Sequence, residues 1–194
     1  NRLLWNPNRT LDDVLGEYCT YHFGAEAAPL MAEALLQLEK NLEAPLATNE
    51  GIDRYYLLVK EAGWKIPPNL MQGNFRWMLH MQKAALDKYF QLKLRGEIAR
   101  DAALQALATE APDDAVTHAQ ALMSEPLESG DMAALKDEAR RIGEESERTM
   151  GLRNEGFFVV DQPLTALGWT AKQFEAAAAA SGDARAEILH QLAH

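Results

Sequence analysis

Residues 131–142 read DMAALKDEARRI, and this stretch indicates the fold class of the 194-residue chain. Its apolar residues recur every three or four positions, and the same spacing continues as far as residue 150. Such spacing is typical of an α-helix that buries one face, and in bundles it marks the seam between packed helices. We therefore predict a long amphipathic helix that opens at Asp131, with the seam residues Met132, Leu135, Ala139, Ile142, Ser146 and Met150.

Similar spacing covers most of the remaining chain. The predicted helices are Leu11–Phe23, about 25–42, Ile52–Ala62, about 70–95 with a helix-prone continuation to 110, about 113–125, about 164–180 and 183–193. Glycine often ends helices, so Gly24 and Gly63 are predicted stops and Gly96 a predicted break. The double proline at 67 and 68 predicts that residues 64–69 are extended or turned.

Residues 152–163 break the helical pattern and contain Phe157–Val160, the one strand-like run in the sequence. A single strand cannot form a sheet, so we predict a packed extended segment there. The predicted fold is therefore all-α, an antiparallel bundle of about seven to eight helices. We predict one domain over residues 1–194, with a sub-boundary near 111–130 as the alternative.

The charge pattern bears on the classes of partner. Residues 1–100 hold 12 basic and 12 acidic side chains, whereas residues 101–194 hold 7 basic and 17 acidic ones. An acidic second half argues against binding to a nucleic-acid backbone, which requires clustered Lys and Arg. No apolar run reaches the length of a membrane span, so neither a nucleic acid nor a membrane is a predicted partner.

No motif of catalysis, nucleotide binding or metal binding occurs in the sequence. His190 and His194 are four residues apart but lack a third ligand at a matching spacing. The carboxylates at 144–147 lie three to four residues from arginines, so ion pairs on a helix surface explain them. The sequence therefore predicts no catalytic residue, no metal site and no cofactor.

Individual Cys, His and Trp residues are predicted to pack, with one exception. Cys19 is predicted to be a buried, inert thiol, and His22 and His80 to have packing or capping roles. Three tryptophans are predicted to serve in apolar packing: Trp5, Trp77 and Trp169. Trp64 lies between Gly63 and the double proline, where a loop would hold its ring outward. Trp64 is therefore the one candidate ligand-binding residue.

The first residues suggest how the chain relates to a larger protein. Leu3, Leu4 and Trp5 precede Asn6-Pro7 and have the pattern of the last turn of a helix. We therefore expect the chain to be the C-terminal piece of a longer protein. We also expect the Leu-Leu-Trp triplet to cover an apolar surface, because exposed patches of that size are uncommon on soluble monomers.

A recurring pattern joins these residues to the first helix. It comprises RLLWNP at residues 2–7, LDDVL at 11–15, EYC at 17–19 and YHFG at 21–24, followed by Ala27-Ala28. The pattern resembles the region just after the catalytic barrel in large bacterial glycoside hydrolases, the α-glucuronidase-like and hexosaminidase-like proteins. The resemblance covers about the first 40 residues.

The resemblance implies an accessory C-terminal helical domain of a carbohydrate-active enzyme, packed on the catalytic barrel or forming a homodimer interface. The resemblance thus implies that the parent protein is a glycoside hydrolase. In such families the catalytic acid and base lie on the barrel, so the resemblance implies no catalytic residue in this chain. The chain itself is expected to be inactive. The alternative interpretation is an independent helical protein-interaction module without a carbohydrate role.

Overall fold

The structure, a computed structural model, describes residues 8–151 and 162–193. It is 79% helical and contains nine helices, eight of them with seven or more residues, and no strand in the described ranges. The predicted all-α fold is therefore confirmed, while the antiparallel order of the helices stays a prediction. The Leu3–Trp5 triplet and the extended segment predicted at Phe157–Val160 lie outside the described residues.

The helices, in chain order, are α1 Leu11–Phe23, α2 Ala28–Asn41, α3 Gly51–Lys65, α4 Pro68–Met71, α5 Phe75–Leu107, α6 Pro112–Ser124, α7 Gly130–Met150, α8 Leu167–Ala179 and α9 Asp183–Leu192. A capping box begins α1, because the Thr10 hydroxyl accepts from the backbone of Asp13 while the Asp13 carboxylate accepts from the backbone of Thr10. Gly24 ends α1 with φ at 85°, as its sequence position predicts.

The predicted stop at Gly63 is wrong, because α3 continues through Lys65. A Cβ atom at Gly63 would lie 2.6 Å from Cζ2 of Trp77, and the Trp77 indole N–H donates to the Val59 carbonyl at 3.1 Å. Gly63 therefore allows the indole to approach the helix. The chain becomes extended only at Ile66, and Pro68 begins α4 at a position where a helix tolerates proline.

The predicted break at Gly96 is also wrong, because α5 runs without interruption from Phe75 to Leu107. A Cβ atom on Gly96 would lie 3.2 Å from Cδ1 of Leu127. The missing side chain thus makes room for Leu127, and it leaves the helix intact despite a propensity cost of about 1 kcal/mol relative to alanine.

The predicted seam of α7 is confirmed. The buried residues of α7 include Met132, Leu135, Ala139, Ile142 and Ser146, and Met150 is half-buried. The helix begins at Gly130, one residue before the predicted start, and the Ser129 hydroxyl accepts from the backbone of Met132 at 3.3 Å. Regular three-to-four spacing was therefore sufficient to identify the buried face.

The described chain divides into two compact units. The first unit contains the described residues up to Gln91 and those from Ala133 to Gly151, and the second contains Leu92–Met132 and residues 162–193. One core cluster in the first unit includes Cys19, Phe23, Met31 and Ala62, and the cluster of the second unit is built around Leu104, Phe174 and Leu189. The prediction of a single domain stays a prediction.

Buried amide side chains fix the loop between α2 and α3. Asn49 donates to the Asn41 carbonyl at 3.0 Å, and Asn41 donates to the Gly51 carbonyl at 3.1 Å. Gln91, which is almost fully buried, donates to the carbonyls of Leu46 and Asn49 at 2.7 Å each. These side chains supply the hydrogen bonds that regular secondary structure would otherwise give this backbone.

A buried carboxylate fixes the segment that precedes α8 in the second unit. One Glu97 oxygen accepts from the backbone N–H groups of Leu164 and Thr165, at 2.7 and 2.9 Å, and from the Thr165 hydroxyl at 3.2 Å. The buried Lys93 ammonium donates to the Gln162 carbonyl at 2.6 Å and lies 3.9 Å from Glu97. The pair on α5 thus sets the position from which α8 starts.

Candidate functional site

Trp64 lies in the last turn of α3, and its side chain is 78% exposed. The sequence placed it in a loop, which is wrong, because the helix extends through Lys65. The Trp64 ring nevertheless faces outward, as the sequence predicted. The exposed ring is available for contact, while its role in ligand binding stays a prediction.

Leu57 lies on the same face of α3 as Trp64 and is 60% exposed. Seven residues correspond to two helical turns, which places the two side chains about 10.5 Å apart along the helix axis. Glu61 is exposed between them. We call Leu57, Glu61 and Trp64 the outer face of α3.

The side of α3 that faces the core is buried, and its buried residues are Ile52, Tyr55, Tyr56, Val59 and Ala62. The outer face includes one member of an exposed ion pair, since Glu61 pairs with Lys65 at 3.2 Å. The helix therefore has a conventional apolar side toward its own unit, and on its exposed side two apolar residues, Leu57 and Trp64, flank Glu61.

The other tryptophans differ from one another. Trp77 is half-buried against the Phe23 cluster, in agreement with its predicted packing role. Trp169 is 55% exposed, so the packing role predicted for it is wrong. The buried positions of α8 include Thr170 and Phe174, and Trp169 is rotated about 100° from that stripe. Trp5 lies outside the described residues.

The predicted packing role of His80 agrees with its surroundings. Its Nδ1 atom lies 2.9 Å from the hydroxyl of Tyr55, a fully buried residue of α3. Burial, with a smaller contribution from the charge of Lys83, lowers the pKa of His80. The imidazole borders a cleft of about 430 Å³ whose apolar walls include Leu38 and Phe90.

Cys19 is fully buried, as predicted. Burial raises the pKa of its thiol to about 11, so the reactive thiolate is scarce at neutral pH. His190 is described but its predicted neighbour His194 is not. Within residues 8–151 and 162–193, no three His, Cys, Asp or Glu side chains gather closely enough to hold a metal ion.

Two clefts share Tyr21 and His22, at the end of α1, as lining residues. The cleft on the side of α1 has a volume of about 260 Å³ and includes Tyr18 and Glu17. The cleft on the side of α5 has a volume of about 350 Å³ and includes Arg76. We call the second one the α5-side cleft.

Two of the rings that border the α5-side cleft, those of Tyr21 and His22, are part of an aromatic row. Tyr21 and His22 meet edge to face at a centroid distance of 4.8 Å, and His22 meets Tyr18 in the same way at 4.6 Å. The Asn74 side chain donates to the His22 carbonyl at 2.8 Å and also accepts from the backbone of Trp77, at the start of α5. The end of α1 and the start of α5 are therefore fixed to each other.

Sequence reasoning missed this cleft. Tyr21 lies on a different side of α1 from the buried residues Cys19 and Phe23. This position around the helix axis was the signal in the sequence that its ring faces outward. The contact with Asn74 joins residues 52 positions apart, and no local pattern indicates it.

The predicted ion pairs account for one carboxylate of the acidic cluster at 144–147, Glu145, which lies three residues from its arginine. Arg148 pairs with Glu145 and Arg140 pairs with Asp137, both on the exposed surface of the helix. Exposed pairs of this kind contribute little to stability, because solvent screens them. They indicate a solvated helix surface.

Comparison of the chain with protein-family models, with curated proteins and with solved structures finds no match. Among the described residues, no helix combines the length and the apolar character that crossing a membrane requires.

Proposed function

We propose that the chain is an accessory helical domain of a glycoside hydrolase and that the outer face of α3 packs against the catalytic domain of that enzyme. One observation carries the docking part of the proposal: Trp64 and Leu57 are both exposed, two turns apart on one face. The resemblance of the first 40 residues to regions that follow a catalytic barrel supports the identity of the partner.

The energetics favour a covered outer face. Burying a large apolar side chain contributes about 1.5–3 kcal/mol relative to leaving it in water. Tryptophan is enriched among the residues that dominate the binding energy of protein interfaces. Its contribution is large when its ring enters a well-packed contact. Trp64 therefore acts as the central anchor of the contact, and Leu57 adds apolar area beside it.

The test uses the position between the two anchors. A Glu61→Cys substitution places a thiol within the outer face and leaves Leu57 and Trp64 unchanged. The native Cys19 is fully buried, so a maleimide should label the introduced thiol selectively in the native isolated chain. In the longer protein, labelling at residue 61 should be at least about tenfold slower, measured on the corresponding peptide by mass spectrometry.

The matched control is Leu42→Cys, just after α2, where the native side chain is 78% exposed. Labelling at residue 42 should be equally fast in the isolated chain and in the longer protein. Equal labelling of both positions in both proteins would refute the proposed contact. Protection at residue 61 within the isolated chain, increasing with its concentration, would instead assign the face to a homodimer.

The catalytic part of the proposal has its own test. The isolated chain is expected to hydrolyse no aryl glycoside, because the catalytic acid and base would reside in the partner domain. Turnover by the purified chain that is abolished by one Asp or Glu substitution within it would overturn this expectation. Protection of residue 61 by an unrelated protein would support the independent interaction module of the alternative interpretation.

A further inference from the structure

The α5-side cleft combines a guanidinium group with an exposed aromatic ring. Its lining contains Arg76, His22 and the polar side chains of Gln72 and Asn74, and none of its described lining residues is acidic. The formal net charge of the whole chain is −10, so a cleft free of carboxylates differs from the average surface of this protein.

Arg76 has no carboxylate partner within the described ranges 8–151 and 162–193. Its guanidinium instead stacks over the ring of Phe75, 4.4 Å from the ring centroid. Stacking on a ring positions the guanidinium plane without using its N–H donors. These donors form the planar fork that recognises a carboxylate with two parallel hydrogen bonds.

Tyr21 supplies the second contact surface, since it borders the same cleft and its side chain is 78% exposed. The flat face of an aromatic or sugar ring can pack on the face of a tyrosine ring. Burial and the nearby Arg76 charge lower the pKa of His22, so its imidazole is neutral at pH 7 and can donate or accept one hydrogen bond.

We propose that the α5-side cleft binds a small ring compound that carries a carboxylate, with the carboxylate on Arg76 and the ring on Tyr21. The cleft on the side of α1 lacks the same arrangement, because the Glu17 carboxylate lines it and is paired with the nearby Arg9 guanidinium at 2.7 Å. The inference concerns α1 and α5 and does not rest on the proposed role of the outer face of α3. An aromatic acid and an acidic sugar share the required chemistry.

The probes are benzoate and galacturonate, each titrated to about 10 mM, the range in which fragments of this size bind. Binding is followed by two-dimensional NMR of backbone amides and of the arginine Nε–H groups. Shifts confined to residues 21–22 and 72–76 are expected for at least one probe. Benzoate alone would assign an aromatic acid, galacturonate alone an acidic sugar, and both together the shared chemistry.

Two variants and two controls make the test decisive. Arg76→Gln should weaken the binding of the active probe at least about tenfold, and Tyr21→Ala at least about threefold. Arg54→Gln, which removes an exposed guanidinium that is paired with Glu33, should leave the affinity unchanged. Benzyl alcohol, a neutral analogue of benzoate, should not bind.

Three results would overturn the proposal. The first is the absence of shifts with both probes, and the second is equal binding of benzyl alcohol and benzoate. The third is an unchanged affinity in Arg76→Gln, provided that its amide spectrum shows the native fold. Because Tyr21 is exposed and Tyr21→Ala should fold normally, that variant keeps the test conclusive if Arg76→Gln does not fold.

Discussion

Replacement of Glu97 by alanine should destabilise the protein more than any exposed acidic substitution. Glu97 is almost fully buried, and one of its oxygens accepts from two backbone N–H groups and from the Thr165 hydroxyl. In Glu97→Ala these three donors lose their common acceptor. The start of α8 would then lose the group that fixes it to α5.

The size of the destabilisation follows from the hydrogen-bond donors that would lose their acceptor. An unsatisfied buried donor costs about 1–3 kcal/mol, and removal of one member of a buried charged pair costs about 3–5 kcal/mol. Leu164 is 38% exposed, so water can replace part of the lost bonding. We therefore expect Glu97→Ala to lower the free energy of unfolding by about 2–4 kcal/mol. Glu97→Gln retains one carbonyl oxygen and should cost about half as much.

The assay is urea unfolding followed by circular dichroism at 222 nm, with Glu175→Ala as the control because Glu175 is exposed on α8. With an m value of about 2–3 kcal/mol/M, the midpoint should fall by about 1 M for Glu97→Ala and hardly change for the control. Amide exchange at residues 164 and 165 should accelerate in parallel. A loss below about 1 kcal/mol, or unchanged exchange at both amides, would refute the reasoning.

Three further outcomes are expected. Gly63→Ala should lower the free energy of unfolding by about 1–3 kcal/mol, because the added methyl group would meet the Trp77 ring, whereas Gly16→Ala, in open space within α1, should raise it by up to about 1 kcal/mol. Thermal melts compare the two, and equal signs would contradict the packing argument. Cys19 should react with a disulfide reagent at pH 7 only as fast as the chain unfolds, and rapid labelling of folded protein would show that it is accessible. The pKa of His80 is lowered in the folded protein, so the imidazole binds a proton more readily in the unfolded chain. The contribution of neutral His80 to stability is therefore fully present above about pH 6.5, and it is lost as the pH falls through the native pKa. Urea midpoints measured from about pH 8 to pH 5 should fall less steeply in His80→Asn, and parallel profiles would exclude His80 as the source.

Periodicity predicted the fold class and the buried face of α7, because the core residues of a packed helix must recur with the helical turn. Glycine was less informative. Gly24 ends a helix, while Gly63 and Gly96 lie inside helices and make room for Trp77 and Leu127. The difference depends on a residue that faces the glycine from elsewhere in the chain. A reading of neighbouring residues alone cannot identify it.

The exposed sites show the same limit. The outward ring of Trp64 was anticipated, but from a loop that does not exist, and the exposed position of Trp169 was missed because its phase on α8 was not considered. The α5-side cleft forms where the end of α1 meets the start of α5, through the long-range bond from Asn74 to the His22 carbonyl. Such a site becomes visible only when the tertiary contacts are known.

The division of the chain into two units limits how the protein can be modified by recombination. Two boundaries lie in the part of the chain that the structure describes, and both fall within helices, between Gln91 and Leu92 in α5 and between Met132 and Ala133 in α7. A cut at either point would sever several consecutive i→i−4 hydrogen bonds and create four unsatisfied groups at each new end. The units are therefore not exchangeable cassettes, and the better crossover points for chimaeras are the connections between helices, such as residues 108–111 and 125–129.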